Sequence, residues 1–293
     1  MTQTENPNGK TAVPGLDVQQ FVDKLRRQQA EQSGSSQAAS SDASTSYECE
    51  KCHDFFFLAV LPDGARAAID SQEALHAGYS TVAECKCQWE RRQERLFKSS
   101  RITEQFRSVG FKGFITKGRP KCVRDALDIA LAYYNEFEKI RDTRNNSIAL
   151  LGPPGSGKTH LLMAVCNGLL RKEVGVHYFP WVEGFGDLKD NLDELEPRLD
   201  VMRQVDVLFI DDLFKGRSVP TDFQLEQLFS VVNYRYLECK PMLISSERDI
   251  DAICAIDEGV GRRIWERAKG HRAIMGLTEE EAKAGMTLNY SLL

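Results

Sequence analysis

The sequence has no apolar run approaching the ~18 residues that a membrane-crossing helix needs. Its opening residues, MTQTENPNGK, lack the basic-then-apolar layout of an export signal. The two absences together imply a cytoplasmic protein with no membrane partner. Histidine is sparse, at five residues, and no Ser/His/Asp or Cys/His arrangement of a nucleophilic enzyme stands out. Cysteine, by contrast, is present but unevenly spread. Four of the eight fall between positions 49 and 87, and the others are scattered singly. In a reducing compartment such clustering suggests a metal before a disulfide.

At 293 residues, with 42% hydrophobic and 28% charged residues, the chain has room for one full-sized globular domain and something smaller. The net charge of −5 conceals an asymmetry. Residues 86–124 hold twelve basic and three acidic residues, a local +9, which leaves −14 for the remainder. A stretch of this kind suits a nucleic acid or an acidic protein, or else a solvated helix face.

Residues 1–46 read as a flexible tail. Leu16, Phe21, Val22 and Leu25 fit one stripe of a short helix, and EQSGSSQAASSDASTS is too polar to order itself. Residues 47–98 form a small cysteine-bounded unit, with a hairpin expected from FFFLAV and the Asp63–Gly64 pair and a basic helix from Gln88. Phe106, Phe111 and Phe114 follow in an irregular aromatic stretch suited to wrapping a domain's flank. From Pro120 the rhythm alternates between helix and strand. Strands are expected at SIALLG, VHYFPW, VDVLFID, PMLISS and HRAIMGL. Continuous apolar strands between helices mean an α/β fold with a five-stranded parallel sheet covered on both faces. That domain is expected to span 99–293.

Residues 152–159, GPPGSGKT, match G-x-x-x-x-G-K-[ST] between a strand and a helix. Gly152, Pro153, Pro154, Gly155, Ser156 and Gly157 would wrap backbone N–H groups around phosphates, and His160 follows in the helix. Lys158 would reach the β- and γ-phosphates of ATP, and Thr159 would ligate Mg2+. Asp211, ending the strand VDVLFID, would hold the same Mg2+, and Asp212 would orient water or else cap a helix. Aspartate is one methylene shorter than glutamate, so slow hydrolysis is expected. Ser245, Ser246 and Glu247 close the fourth strand, either as candidate γ-phosphate sensors or as a plain turn. Cys49-x-x-Cys52 and Cys85-x-Cys87 have the spacing of two thiolate knuckles on one tetrahedral Zn2+, with His53 and His76 as possible substitutes. Cys122, Cys166, Cys239 and Cys254 read as packing residues on helical segments.

GPPGSGKTHLL, VDVLFIDDL, FQLEQLFSVVNYRYLECKPMLISSE and DEGVGRRI together resemble the bacterial replicative-helicase loaders of the DnaC/DnaI type. YECEKCHDFFFL and ECKCQWERR are similar to the zinc-binding region of the DnaI-like branch. The resemblance implies a P-loop AAA+ core without a C-terminal lid, preceded by a small zinc-binding domain that grips a hexameric helicase and delivers it to single-stranded DNA. It also implies self-association through a shared ATP site, with Arg263 as the arginine reaching the neighbour. Gly261-Arg262-Arg263 departs from the family's small-residue-then-arginine pattern, so either arginine fits, and Glu247 stands where many loaders carry asparagine. Lys215 and Arg217 are candidate DNA contacts, as are Phe179 and Trp181, for which a structural role is the stronger alternative. Two rival readings share the P-loop: a transposase helper of the IstB type, and a small-molecule kinase.

Overall fold

The computed structural model describes Arg27 and residues 47–79, 81–216 and 219–289. The expected helix around Leu16–Leu25 and the candidate DNA contact Arg217 lie outside the described residues. The described residues divide into two compact units, with the boundary between Arg92 and Gln93. The boundary falls inside the helix Lys86–Ser99, so residues 93–98, expected in the first unit, belong to the second.

In the first unit, strands β1 (Phe57–Val60) and β2 (Arg66–Ala68) pair antiparallel, with Val60 opposite Arg66. The turn between them is made by Asp63 and Gly64. Gly64 takes φ 85°, and the Asp63 carboxylate accepts the Ala65 N–H at 2.9 Å. A third strand, β3 (Thr81–Glu84), adds to the other edge of β1. Its TVAE segment carries no alternation of apolar and polar residues and was not legible as a strand. The core is small: Phe55, Ala59, Leu61, Ala67, Ile69 and Ala74. A unit of this size buries too little apolar surface to be stable on packing alone.

In the second unit, β4 (Ile148–Leu151), β5 (Val176–Pro180), β6 (Val207–Asp211), β7 (Met242–Ser246) and β8 (Arg272–Ile274) form one parallel sheet in the order β5-β6-β7-β4-β8. All five expected strands are present; the last is shorter than HRAIMGL. Alternate side chains divide between the two faces. Ile148 and Leu150, with Tyr178, Phe209 and Leu243, pack under the helices Lys121–Ile140 and Lys158–Arg171. Ala149 and Leu151, with Leu208, Ile210 and Ile244, pack under helices Trp181–Asp190, Leu195–Gln204, Asp222–Leu237 and Glu258–Arg267. Phe106, Phe111 and Phe114 lie against the first of these cores, as the flanking role requires. Buried Asn167 ties that segment down by donating to the carbonyls of Phe106 and Val109 at 2.7 and 2.8 Å.

Phe179 and Trp181 are core residues, each 2% exposed, and are unavailable as platforms for DNA bases. Trp181 stands edge-on to Phe185 and Phe214 instead. Cys239 is not helical: it follows the helix Asp222–Leu237 with φ 52°, and its carbonyl accepts from Asn146.

Where the chain enters β6 and β7, Arg235 is fully buried and forms no ion pair with a carboxylate among the described residues. Its guanidinium donates to the carbonyls of Met202, Arg203, Val205, Asp206 and Pro241. These include carbonyls at the C-terminus of helix Leu195–Gln204, where a cation is favoured. Replacing Arg235 by methionine keeps much of the apolar stem but leaves five acceptors without their donor. Arg235→Met should lower stability by about 3 kcal/mol or more. Urea unfolding checks this, and an unchanged midpoint would show that the hub is dispensable.

Candidate functional site: a phosphate loop and a four-thiol cluster

The sheet brings the ends of β4, β6 and β7 to one edge, the usual ligand side of a parallel sheet. After β4 the chain turns sharply, and the Gly152 N–H donates to Ser246 O at 3.0 Å. The loop then delivers Gly157, with φ 100°, as the residue before helix Lys158–Arg171. No side chain caps that helix, so its first N–H groups point into the loop with the positive end of the dipole behind them. A Cβ at Gly157 would stand 2.6 Å from the Phe114 ring, and one at Gly155 (φ 73°) would meet Asn289. Only glycine fits at either position.

Lys158 is 4% exposed, and its Nζ donates to Gly152 O (2.7 Å), Pro153 O (2.9 Å) and Ser156 Oγ (3.4 Å). Burial lowers its pKa, against the carboxylates of Asp212, Glu247 and Asp211. A buried ammonium bonded only to neutral oxygens, beside uncapped helix N–H groups, fits a phosphate. Pro154, Gly155, Gly157, Lys158, Thr159 and His160 line one cavity of about 220 Å3, faced by Asp212, Lys215 and Glu247. His160 packs its ring against Phe114, centroids 5.3 Å apart, with Nε2 3.2 Å from Gly110 O.

Thr159 and Asp211 meet directly: Thr159 Oγ1 donates to Asp211 Oδ1 at 2.9 Å. Ser245 Oγ donates to the same oxygen, and Tyr178 OH donates to Oδ2 at 3.1 Å. Burial raises the Asp211 pKa, and the bonds from Ser245, Thr159 and Tyr178 oppose the rise. A hydroxyl and a carboxylate side by side next to the phosphate loop are the hard oxygen donors that Mg2+ takes. Tyr178 was not singled out from the sequence. Its position two residues before the end of β5, on the face of the phosphate-loop helix, was the available signal.

Asp212 starts no helix; it takes φ 55° in a loop, so the capping alternative falls. Its N–H donates to Ser245 Oγ at 2.8 Å, and its carboxylate pairs with Lys215 at 2.8 Å. Of the three residues closing β7, Ser245 and Ser246 are buried and bonded to Asp211 and Leu213 O, and Glu247 alone lines the cavity. Arg262 and Arg263 do not line it. Arg263 lies over Phe229, with Nε donating to Asn233 Oδ1 at 3.0 Å, whereas Arg262 is exposed and pairs with Glu258.

In the first unit, the sulfurs of Cys49, Cys52, Cys85 and Cys87 all lie within 4.8 Å of one another. Cys49–Cys85 measures 3.9 Å and Cys52–Cys87 3.4 Å. A tetrahedral ion with metal–sulfur bonds of about 2.3 Å sets edges of roughly 3.8 Å, so the four thiols fit Zn2+. The knuckle bends through His53, Asp54 and Phe56, all at positive φ. Asp54 holds the bend by accepting the N–H groups of Glu48 and Cys49, each at 3.0 Å, and an ion pair from Arg91. His53 pairs with Asp70 at 2.7 Å and stacks on Tyr47; His76 bonds Gln72 O of its own helix. Neither belongs to the cluster.

Residues 124–256 match the family model of the IstB-like ATP binding protein. The chain is 44% identical over 262 residues to the phage-like element PBSX protein XkdC of Bacillus subtilis, covering 88% of this chain and 92% of XkdC. It is 53% identical over 197 residues to the B. subtilis protein YqaM, covering 66% of this chain and 63% of YqaM. The crystal structure of DnaI superposes with a TM-score of 0.50 at 23% identity, over 61% of this chain and 95% of that one, a likeness of fold.

The thiol geometry makes a direct prediction. Purified protein should carry one zinc per chain by mass spectrometry, and Cys52→Ser should release it and expose residues 47–92 to protease. Metal-free protein with that segment still resistant would contradict the assignment.

Proposed function

The chain belongs to the family of the phage-element protein XkdC, with an IstB-like ATP-binding domain, and from that premise we propose that it is an ATP-driven loader of a replicative DNA helicase. The enzymatic class is that of an ATPase. The observation that carries the finer reading is the four-thiol unit encoded ahead of the ATPase core. A resident Zn2+ with four thiolates has no open position for catalysis, so its role there is to fold a recognition module.

In this reading the first unit binds the hexameric helicase, and the second binds Mg-ATP and single-stranded DNA. Lys158 and the loop amides would hold the phosphates, Thr159 and Asp211 the magnesium, and Asp212 the attacking water. Arg262 or Arg263 would complete the ATP site of an adjoining copy. Exposed Arg262 suits that reach better than Arg263, which is held by Asn233 and Gly259. Asp212 is one methylene shorter than a glutamate, which supports slow, switch-like hydrolysis. The IstB reading keeps the same ATPase core and replaces the helicase by a transposase; it is favoured by the family match over residues 124–256.

One set of pull-downs with mass spectrometry separates the readings. The wild-type protein should capture a hexameric helicase rather than a transposase. Lys158→Ala should abolish nucleotide binding with the zinc unit folded, and Cys49→Ser should lose the helicase while keeping nucleotide. Capture of a transposase, or turnover on the order of tens per second, would contradict the loader account.

A further inference from the structure

The connection after β6 is strained in a specific way. Asp212 (φ 55°), Phe214 (61°) and Gly216 (98°) alternate in left-handed backbone. Asp and Gly tolerate this region; a bulky Phe enters it only when its surroundings enforce the conformation. They do so here. Phe214 is 1% exposed, its ring stands edge-on to Trp181 at 5.0 Å, and its carbonyl accepts from Arg248 Nε at 3.1 Å. The Lys215 N–H closes the turn onto Asp212 O at 2.9 Å.

The consequence is the placement of Lys215. Its Nζ lies 2.8 Å from Asp212 Oδ2 and 3.1 Å from Glu247 Oε1, and all three residues line the cavity opposite Lys158 and Thr159. The cavity therefore has two ammonium groups of unlike character. Lys158 is buried within the loop and bonded to neutral oxygens. Lys215 is partly exposed, on a flexible stem anchored to a rigid backbone, and held by two carboxylates. One of those carboxylates is the group placed to orient water.

We propose that Lys215 is a further phosphate-binding residue of this site, which leaves the Asp212–Glu247 pair for the terminal phosphate of ATP and thereby frees the Asp212 carboxylate. The inference rests on the ATP-site reading above and adds a residue to it. A terminal phosphate at the mouth of the loop concentrates more negative charge than either carboxylate. The four-carbon stem lets the ammonium swing while the strained backbone stays fixed. ADP, lacking that phosphate, leaves the pair closed. In hydrolysis the water oxygen bonds to the terminal phosphorus as the bridging P–O bond breaks. The bond's electron pair departs with ADP, and the water proton passes by way of Asp212 to solvent. Lys215 neutralises charge on the terminal oxygens and transfers no proton.

The test is nucleotide discrimination. Wild type, Lys215→Met and Lys215→Arg would each be titrated, with Mg2+, against a non-hydrolysable ATP analogue and against ADP. Methionine keeps the length of the stem and removes the charge. It should weaken the ATP analogue about tenfold or more and leave ADP affinity and thermal midpoint unchanged, with arginine restoring part of the loss. Single-turnover hydrolysis should fall in Lys215→Met. Equal loss for both nucleotides, no loss for either, or faster hydrolysis in Lys215→Met would overturn the proposal. Failure of the wild-type protein to bind either nucleotide would instead remove the ATP-site reading beneath it.

Discussion

The site turns on one hydrogen bond, Thr159 Oγ1 to Asp211 Oδ1 at 2.9 Å, which joins the phosphate-loop helix to the end of β6. Asp211 is 4% exposed, and an ionised carboxylate so deep in the fold is costly unless its oxygens are bonded. Thr159, Ser245 and Tyr178 supply those bonds from the loop helix, β7 and β5. The carboxylate therefore fixes the relative positions of four elements. The parallel order β5-β6-β7-β4 places them for it.

The opposite end of the sheet solves a related problem with the opposite charge. Arg235 gathers five carbonyls at the end of helix Leu195–Gln204 and the entries to β6 and β7, one of which, Pro241 O, also accepts the Leu208 N–H. The strands between these two ends are covered on both faces by apolar side chains, so the polar groups that need satisfying concentrate at the strand termini. The strain at Asp212 and Phe214 falls at the nucleotide edge, where Trp181 and Arg248 hold it in place.

Much of this was legible in the sequence because the signals were local. The glycine pattern at 152–159 and the unbroken apolar strands need only their neighbours to be read, and the four cysteines needed only their spacing. What escaped was set by tertiary contact. Phe179 and Trp181 stood as candidate base platforms beside a structural reading, and the structure decides between the two: β5 carries Phe179, and the helix beginning at Trp181 carries that ring, into the core. Lys215 drew notice as a loop cation suited to DNA, yet its partners Asp212 and Glu247 come from two different strand ends that no local pattern brings together. Tyr178 was hidden for the same reason, since its phenol acquires meaning only once β5 lies beside β6. The strand TVAE went unread because it packs as an edge, without the alternation that marks a half-buried strand.

The carboxylate ending β6 and the loop at 152–159 are proposed to bind magnesium and triphosphate together. Calorimetry of ATP binding with and without Mg2+, on wild type and Asp211→Asn, tests it most directly. The account predicts that Mg2+ tightens ATP binding to the wild-type protein and that Asp211→Asn still binds ATP but loses the magnesium effect. No heat and no thermal shift from saturating Mg-ATP on the wild-type protein would contradict it.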